Sequence, residues 1–153
     1  MKTKHYFLLV VLLVVLDQLT KLLAYEYLGI GNSIAINEFL SLTFAHNYGA
    51  AFSFLADSGG WQRYFLSSVS ALASIVISVW ILKTPLKHRF KLISLVLILS
   101  GAIGNMIDRI TNGFVVDFID FHYARFNYPI FNFADIFISV GVVLLIIVDW
   151  KNE

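Results

Sequence analysis

The sequence predicts an all-α membrane protein: four transmembrane helices carrying a small extracytoplasmic β-sheet and a short amphipathic surface segment. Three observations predict it. Of 153 residues, 59% are hydrophobic and 14% charged, and the mean hydropathy is +0.80, whereas a soluble domain is about half apolar and about a quarter charged. Four stretches approach the roughly 20 apolar residues a bilayer crossing needs: residues 6–24, 64–82, 90–108 and 133–150. Lysine and arginine are sorted to one side of these spans, as cytoplasmic retention of basic loops requires. The whole chain, residues 1–153, reads as one integral membrane domain, without low-complexity segments.

The first span, 6–24, follows Lys2 and Lys4 and contains Asp17 and Lys21 near its far end. A short basic start and an uncharged run also describe a secretory signal peptide. The run continues through Asp17, Lys21 and Leu22 without a small-x-small cleavage site, so an uncleaved span is the preferred reading. The outer connection, 25–63, is too long for a turn and too apolar for a linker. Segments 36–44 and 50–55 have the Phe, Leu and Ile content of short strands, with Asn47, Tyr48 and Gly49 as the turn between them. Asp57, Ser58, Gly59 and Gly60 form a break, and Trp61 to Tyr64 read as an interfacial entry into the second span.

The second span, 64–82, has no ionisable charge, and Lys83, Lys87, Arg89 and Lys91 gather at its junction with the third, 90–108. A second outer connection, 109–132, contains the apolar run 115–120 interrupted by Asp117 and Asp120. The fourth span, 133–150, ends at Lys151. Seven basic residues (Lys2, Lys4, Lys83, Lys87, Arg89, Lys91 and Lys151) thus fall on one side, against Arg63, Arg109 and Arg125 on the other. Both termini are therefore expected in the cytoplasm, with the two long connections facing outward.

Several chemistries are excluded or disfavoured. Without cysteine there is no disulfide, thiolate nucleophile or cysteine-ligated metal. A formal charge of +1 offers no field for a phosphate backbone, so no nucleic-acid partner is expected. His5, His46, His88 and His122 lack metal-ligand spacing, and nothing here calls for a metal or other cofactor. Serines of the second span have neither a nucleophile-elbow motif nor a histidine partner; they read as packing residues, as do Gly101 and Gly104.

What remains is a concentration of acids. Ionisable groups are costly in lipid and are functional candidates by default, and Asp17, Asp108, Asp117, Asp120 and Asp135 all lie near the outer span ends. Asn105-x-x-Asp108 and Asn132-x-x-Asp135 each place two polar side chains on one helical face. The third and fourth spans run in opposite directions, so the two motifs meet at one depth, and a strand-like or re-entrant 115–120 segment presses Asp117 against them. Two carboxyl groups in a poorly hydrated place share a proton. One can then act as general base on water and the other as general acid toward a carbonyl. Blander readings stand beside this: Asp135 as a helix-start acid with Asn132 as its cap, Asp108 paired with Arg109, Asp17 paired with Lys21 four residues on, and Asp120 as a solvated loop acid.

Five blocks in order resemble the lipoprotein signal peptidases, or signal peptidase II: Asp17, Gln18 and Lys21; Asn47 and Gly49 to Phe52; Gly104, Asn105, Asp108 and Arg109; Val115 to Phe118; and Phe131, Asn132, Ala134 and Asp135. The resemblance implies a bacterial cytoplasmic-membrane aspartic endopeptidase that removes signal peptides from prolipoproteins, cutting before a cysteine bearing a diacylglyceryl group. It puts the catalytic aspartates at Asp117 and Asp135, and polar support or substrate positioning at Asp17, Lys21, Asn47, Asn105, Asp108, Arg109 and Asn132. It also implies a mobile amphipathic segment over the site, here residues 57–63, membrane lipid as a partner, and sensitivity to globomycin-type cyclic peptides. Two other classes compete with it: a proton- or cation-coupled transporter using the aspartates as a relay, which should also place ionisable groups near mid-membrane, and a non-enzymatic assembly factor.

Overall fold

A computed structural model describes residues 2–49, 59–123 and 126–151. Its elements in chain order are helix α1 (Thr3–Leu28), strands β1 (Ser33–Ala35) and β2 (Leu40–Asn47), helices α2 (Trp61–Lys83) and α3 (Arg89–Thr111), strands β3 (Val115–Tyr123) and β4 (Phe126–Asn127), and helix α4 (Phe133–Lys151). All four helices are long and apolar enough to cross a membrane. Each expected span lies inside one of them.

Helix α3 is the centre of the bundle and packs against α1, α2 and α4. Its composition explains the role. Small and short polar residues (Ser94, Ser100, Gly101, Ala102, Gly104) are buried along it, and small side chains let helix backbones approach where lipid supplies no hydrophobic drive. Ser100 returns its hydroxyl proton to the Val96 carbonyl at 2.9 Å, so it costs no unsatisfied donor. Helices α1, α2 and α4 instead leave Leu, Val and Ile exposed over much of their length, as at Leu12, Leu72 and Ile146. In lipid that exposure is the solvated state.

Two apolar clusters hold the ends. Tyr6, Val10, Ile81, Leu92, Leu95, Val96 and Leu99 join α1, α2 and α3 at the end carrying the basic residues. Ala24, Leu28, Phe44, Val116 and Phe118 seat the sheet on the other end.

The sheet is antiparallel with strand order β1-β2-β3-β4, and one expected strand is split in it. Segment 36–44 is divided by a turn: the Asn37 Oδ1 accepts the Phe39 and Leu40 amides at 2.8 and 3.0 Å, a local competition with the strand ladder that asparagine favours. Asn47 closes β2 and also starts the expected turn, its Oδ1 accepting the Gly49 amide at 3.0 Å. The described long partner of β2 is β3, from the other outer connection; the expected strand 50–55 lies outside the described residues. Between Leu42 and Ala45 the β2–β3 register shifts by one residue. Because such a slip changes which face a side chain occupies, Ala45 comes opposite Asp117 and Asn47 opposite Val115, making Asn47 and Asp117 diagonal neighbours on one face.

Residues 57 and 58 of the expected amphipathic segment also lie outside the described residues. Gly59 and Gly60 take positive φ, 77° and 96°, and Trp61 to Arg63 are already the first turn of α2.

Candidate active site

Five elements bring their polar residues to the sheet end of the bundle. Helix α1 contributes Asp17, Gln18 and Lys21. Spacing of three and four puts Asp17 and Lys21 on its buried face, 0% and 3% exposed. Lys21 Nζ donates to Asp17 Oδ2 at 2.9 Å, Asp108 Oδ2 at 3.0 Å and Asn105 Oδ1 at 3.0 Å. An ammonium has three N–H donors, and all three are used.

Both acids beside Lys21 reach further. Asp17 Oδ1 accepts the Ala134 amide at 2.9 Å, satisfying one of the orphan donors at the start of α4. Asp108 accepts Gln18 Nε2 at 2.9 Å and the Val116 amide at 3.0 Å, which ties β3 to the end of α3. The expected Asp108–Arg109 pair is replaced by Asp108–Lys21. Neighbours on a helix point about 100° apart, so Arg109 turns away and donates to the Gly49 carbonyl at 2.9 Å. Among the described residues its buried Nε has no partner.

Three asparagine amides then set the two remaining acids. Asn132 Nδ2 donates to Asp117 Oδ1 at 2.7 Å, and Asn47 Nδ2 to Asp117 Oδ2 at 3.0 Å. Asn105, whose oxygen faces Lys21, donates its Nδ2 to Asp135 Oδ1 at 2.8 Å. Asn132 and Asp135 form a reciprocal cap: the Asp135 amide donates to Asn132 Oδ1 at 3.0 Å and the Asn132 amide to Asp135 Oδ2 at 3.2 Å. The expected capping pair is therefore present, and the same residues join the network. Asp117 is 3% exposed. Burial, and then the charge of Asp135, push its carboxyl up to about 7, against the hydrogen bonds from Asn47 and Asn132 and the charge of Lys21.

Asp117 and Asp135 open together onto a cavity of about 450 Å³. Its remaining walls are mostly apolar: Leu66, Val69, Ala73 and Ile77 from α2, Ile98 and Ala102 from α3, and Ile138 from α4, with Asn47, Asn105, Arg109 and Asp117 at one end. Such a site can hold an extended or helical apolar chain with a polar atom set against two carboxyl groups.

All nine expected site residues (Asp17, Lys21, Asn47, Asn105, Asp108, Arg109, Asp117, Asn132 and Asp135) fall in this one network. Asp120 stays outside it, accepting the Thr43 hydroxyl at 2.9 Å. The His46 ring stacks on Phe114 with centroids 3.7 Å apart, while its neighbour Asn47 turns to Asp117. Gln18, named in the Asp17-Gln18-Lys21 block but not among the expected site residues, is a further member, bonded to Asp17, Asp108 and the Gly104 carbonyl. The amides of Val116 and Ala134 and the carbonyl of Gly49 also belong, and backbone groups leave no trace in residue type.

Comparison with known proteins bears on this geometry. The family profile described as signal peptidase (SPase) II matches residues 9–151. A lipoprotein signal peptidase of Acinetobacter baumannii is 50% identical over 137 residues, 90% of this chain and 78% of the relative. Another, from Hydrogenovibrio crunogenus, is 45% identical over 142 residues, covering 93% and 83%. A solved bacterial membrane enzyme superposes with a TM-score of 0.85 at 34% identity, covering 97% of this chain and 89% of that one. Similarity that runs through all four helices and both outer connections fixes the assignment: the chain is a multi-pass bacterial membrane peptidase and belongs to the signal peptidase II family.

Proposed function

We propose that this protein is the aspartic endopeptidase that removes signal peptides from diacylglyceryl-modified prolipoproteins, with Asp117 and Asp135 as its catalytic pair. The observation that carries the reading is the pairing of these two acids, both anchored on Asn132, at the polar end of an otherwise apolar cavity. A signal peptide is itself an apolar helix, and α2 and α4 stand on either side of a trough with matching walls. The diacylated cysteine stays in the lipid through its acyl chains, so the scissile bond before it is presented at headgroup depth.

Asp117 carries the shared proton, as its raised value of about 7 favours, and Asp135 is the carboxylate. Asp135 takes a proton from water while the water oxygen adds to the scissile carbonyl carbon; Asp117 gives its proton to the carbonyl oxygen. On collapse, Asp135 passes its proton to the departing cysteine nitrogen as the C–N bond breaks. Asp117 recovers one from a hydroxyl of the tetrahedral carbon. The pair returns to its starting state and no metal takes part. Lys21, Asp17 and Asp108 hold Asn105 toward Asp135, Asn47 and Asn132 hold Asp117, and the Nε of Arg109, without a partner among the described residues, is a donor for a substrate carbonyl. Residues 1–153 act as one domain of the cytoplasmic membrane, with both termini inside and the site at the outer leaflet, in contact with membrane lipid and open to globomycin-type peptides.

The test is cleavage of a diacylglyceryl-modified prolipoprotein by purified protein, followed as a gel shift. Asp117→Asn and Asp135→Asn should each lose about 10²–10⁴-fold in rate while remaining folded, and chelators should have no effect. Near-normal turnover by either variant overturns the pair. Equal cleavage of an unlipidated substrate overturns the lipid requirement.

A further inference from the structure

A second hollow of about 240 Å³ lies at the opposite end of the bundle, between the start of α3 and the end of α4. It is separated from Asp135 by most of α4, a helix whose 19 residues rise about 28 Å. Lys87, Arg89 and Lys91 reach it from α3 and its approach, and Lys151 from α4. Lys91 is already neutralised: its Nζ lies 2.8 Å from Asp149 Oδ1 and 5.2 Å from the centroid of the Trp80 ring. Among the described residues no carboxylate pairs with Lys87, Arg89 or Lys151. The first turn of α3 contains no acid either.

Three cations that pair with no carboxylate among the described residues, Lys87 before α3, Arg89 on α3 and Lys151 on α4, thus surround one hollow, whose other lining residues besides Lys91 are His88, Phe90 and Val148. Phe90, 68% exposed, and Val148 line it. Trp80 and Trp150, both exposed, mark the depth at which indoles settle between acyl chains and headgroups. Cations above an apolar floor at that depth match one amphiphile: a phosphate diester with acyl chains beneath it. Retention of basic loops on one side of a membrane requires the charges but no hollow for them to share. We propose that this cleft is a binding site for the phosphate headgroup of an anionic glycerophospholipid, separate from the peptidase site.

The experiment is native mass spectrometry of the full-length protein released from detergent, counting bound phosphatidylglycerol. Phosphatidylcholine and inorganic phosphate are the comparison probes. Phosphatidylglycerol should be retained in preference to phosphatidylcholine and should survive an equal concentration of inorganic phosphate. Lys151→Gln, at an exposed helix end, should weaken binding about fivefold, and the triple variant Lys87→Gln/Arg89→Gln/Lys151→Gln about a hundredfold. Lys2→Gln/Lys4→Gln removes two charges from the same end outside the cleft and should leave binding unchanged. The proposal is overturned if phosphatidylcholine binds equally well, if inorganic phosphate displaces the lipid, or if the Lys2/Lys4 variant weakens binding as much as Lys151→Gln.

Discussion

Lys21 shows how little freedom a charge has once it leaves water. Its ammonium is 3% exposed and meets three oxygens, and Asp17 and Asp108 are as deeply buried. Removing one partner of a buried ionic group leaves the others uncompensated, at about 3–5 kcal/mol. Lys21→Met should therefore lower the thermal midpoint of the detergent-solubilised protein and release Asn105 from its orientation toward Asp135, lowering the cleavage rate as well. A second prediction concerns pH. With its carboxyl at about 7, Asp117 keeps its proton below neutrality and loses it above, so kcat/KM should fall as pH rises through about 7. The folded state also holds a proton that the unfolded chain releases near 3.8, so stability should decline as pH rises between 3.8 and 7. Asp117→Asn should flatten that slope in a thermal-shift series. The Asp17–Lys21 pair was legible from its four-residue spacing. Lys21–Asp108, 87 positions apart, was not, and adjacency suggested Arg109 for Asp108 although neighbouring side chains diverge around a helix.

Packing between elements depends on places where a side chain is missing. A Cβ on Gly101 would run into the Ala134 carbonyl and come within 2.7 Å of Ile138 Cγ1, and one on Gly141 would come within 2.8 Å of the Ser94 carbonyl. These glycines let α3 and α4 approach until Asn105 reaches Asp135. Gly101→Ala should cost about 1–3 kcal/mol through overpacking, read as a lower thermal midpoint. Cleavage should fall with it, since α4 must move and carries Asp135 along; unchanged stability would contradict the close approach. The role of Gly101 as a packing position could be read from its place in an apolar span. So could the spans themselves, because charge is absent over a bilayer's width. The sheet was only half legible. Phe, Leu and Ile content marked residues 36–44 and 115–120 as extended, but the pairing of β2 with β3 joins segments some 75 residues apart in sequence, and composition states no partner. Asn47 and Asn132 were marked as turn and cap residues, and both also hold Asp117, because an amide that ends an element has a second polar atom to spend; the turn at Asn37, inside a segment read as a strand, was not marked.

At the scale of the whole molecule, polarity runs along the bundle. One end carries Lys2, Lys4, Lys83, Lys87, Arg89, Lys91 and Lys151; the other carries the sheet, Asp117 and Asp135. Basic loops resist translocation, so the basic end should be cytoplasmic, and the proposed pair, Asp117 and Asp135, should then meet a signal peptide that has entered the membrane from inside. The absence of cysteine makes this directly measurable, since any introduced thiol is the only one present. Glu38 lies in the exposed turn between β1 and β2, and Leu86 in the exposed connection between α2 and α3. Neither touches the polar network, so both single-cysteine variants should keep cleaving the lipid-modified substrate. In intact spheroplasts a membrane-impermeant maleimide should label Glu38→Cys at once and Leu86→Cys only after permeabilisation. The reverse pattern would put Asp117 and Asp135 on the cytoplasmic side and overturn the proposed outer-face site. Equal labelling of both positions would mean that the chain inserts in both orientations and that seven cations do not suffice to hold one.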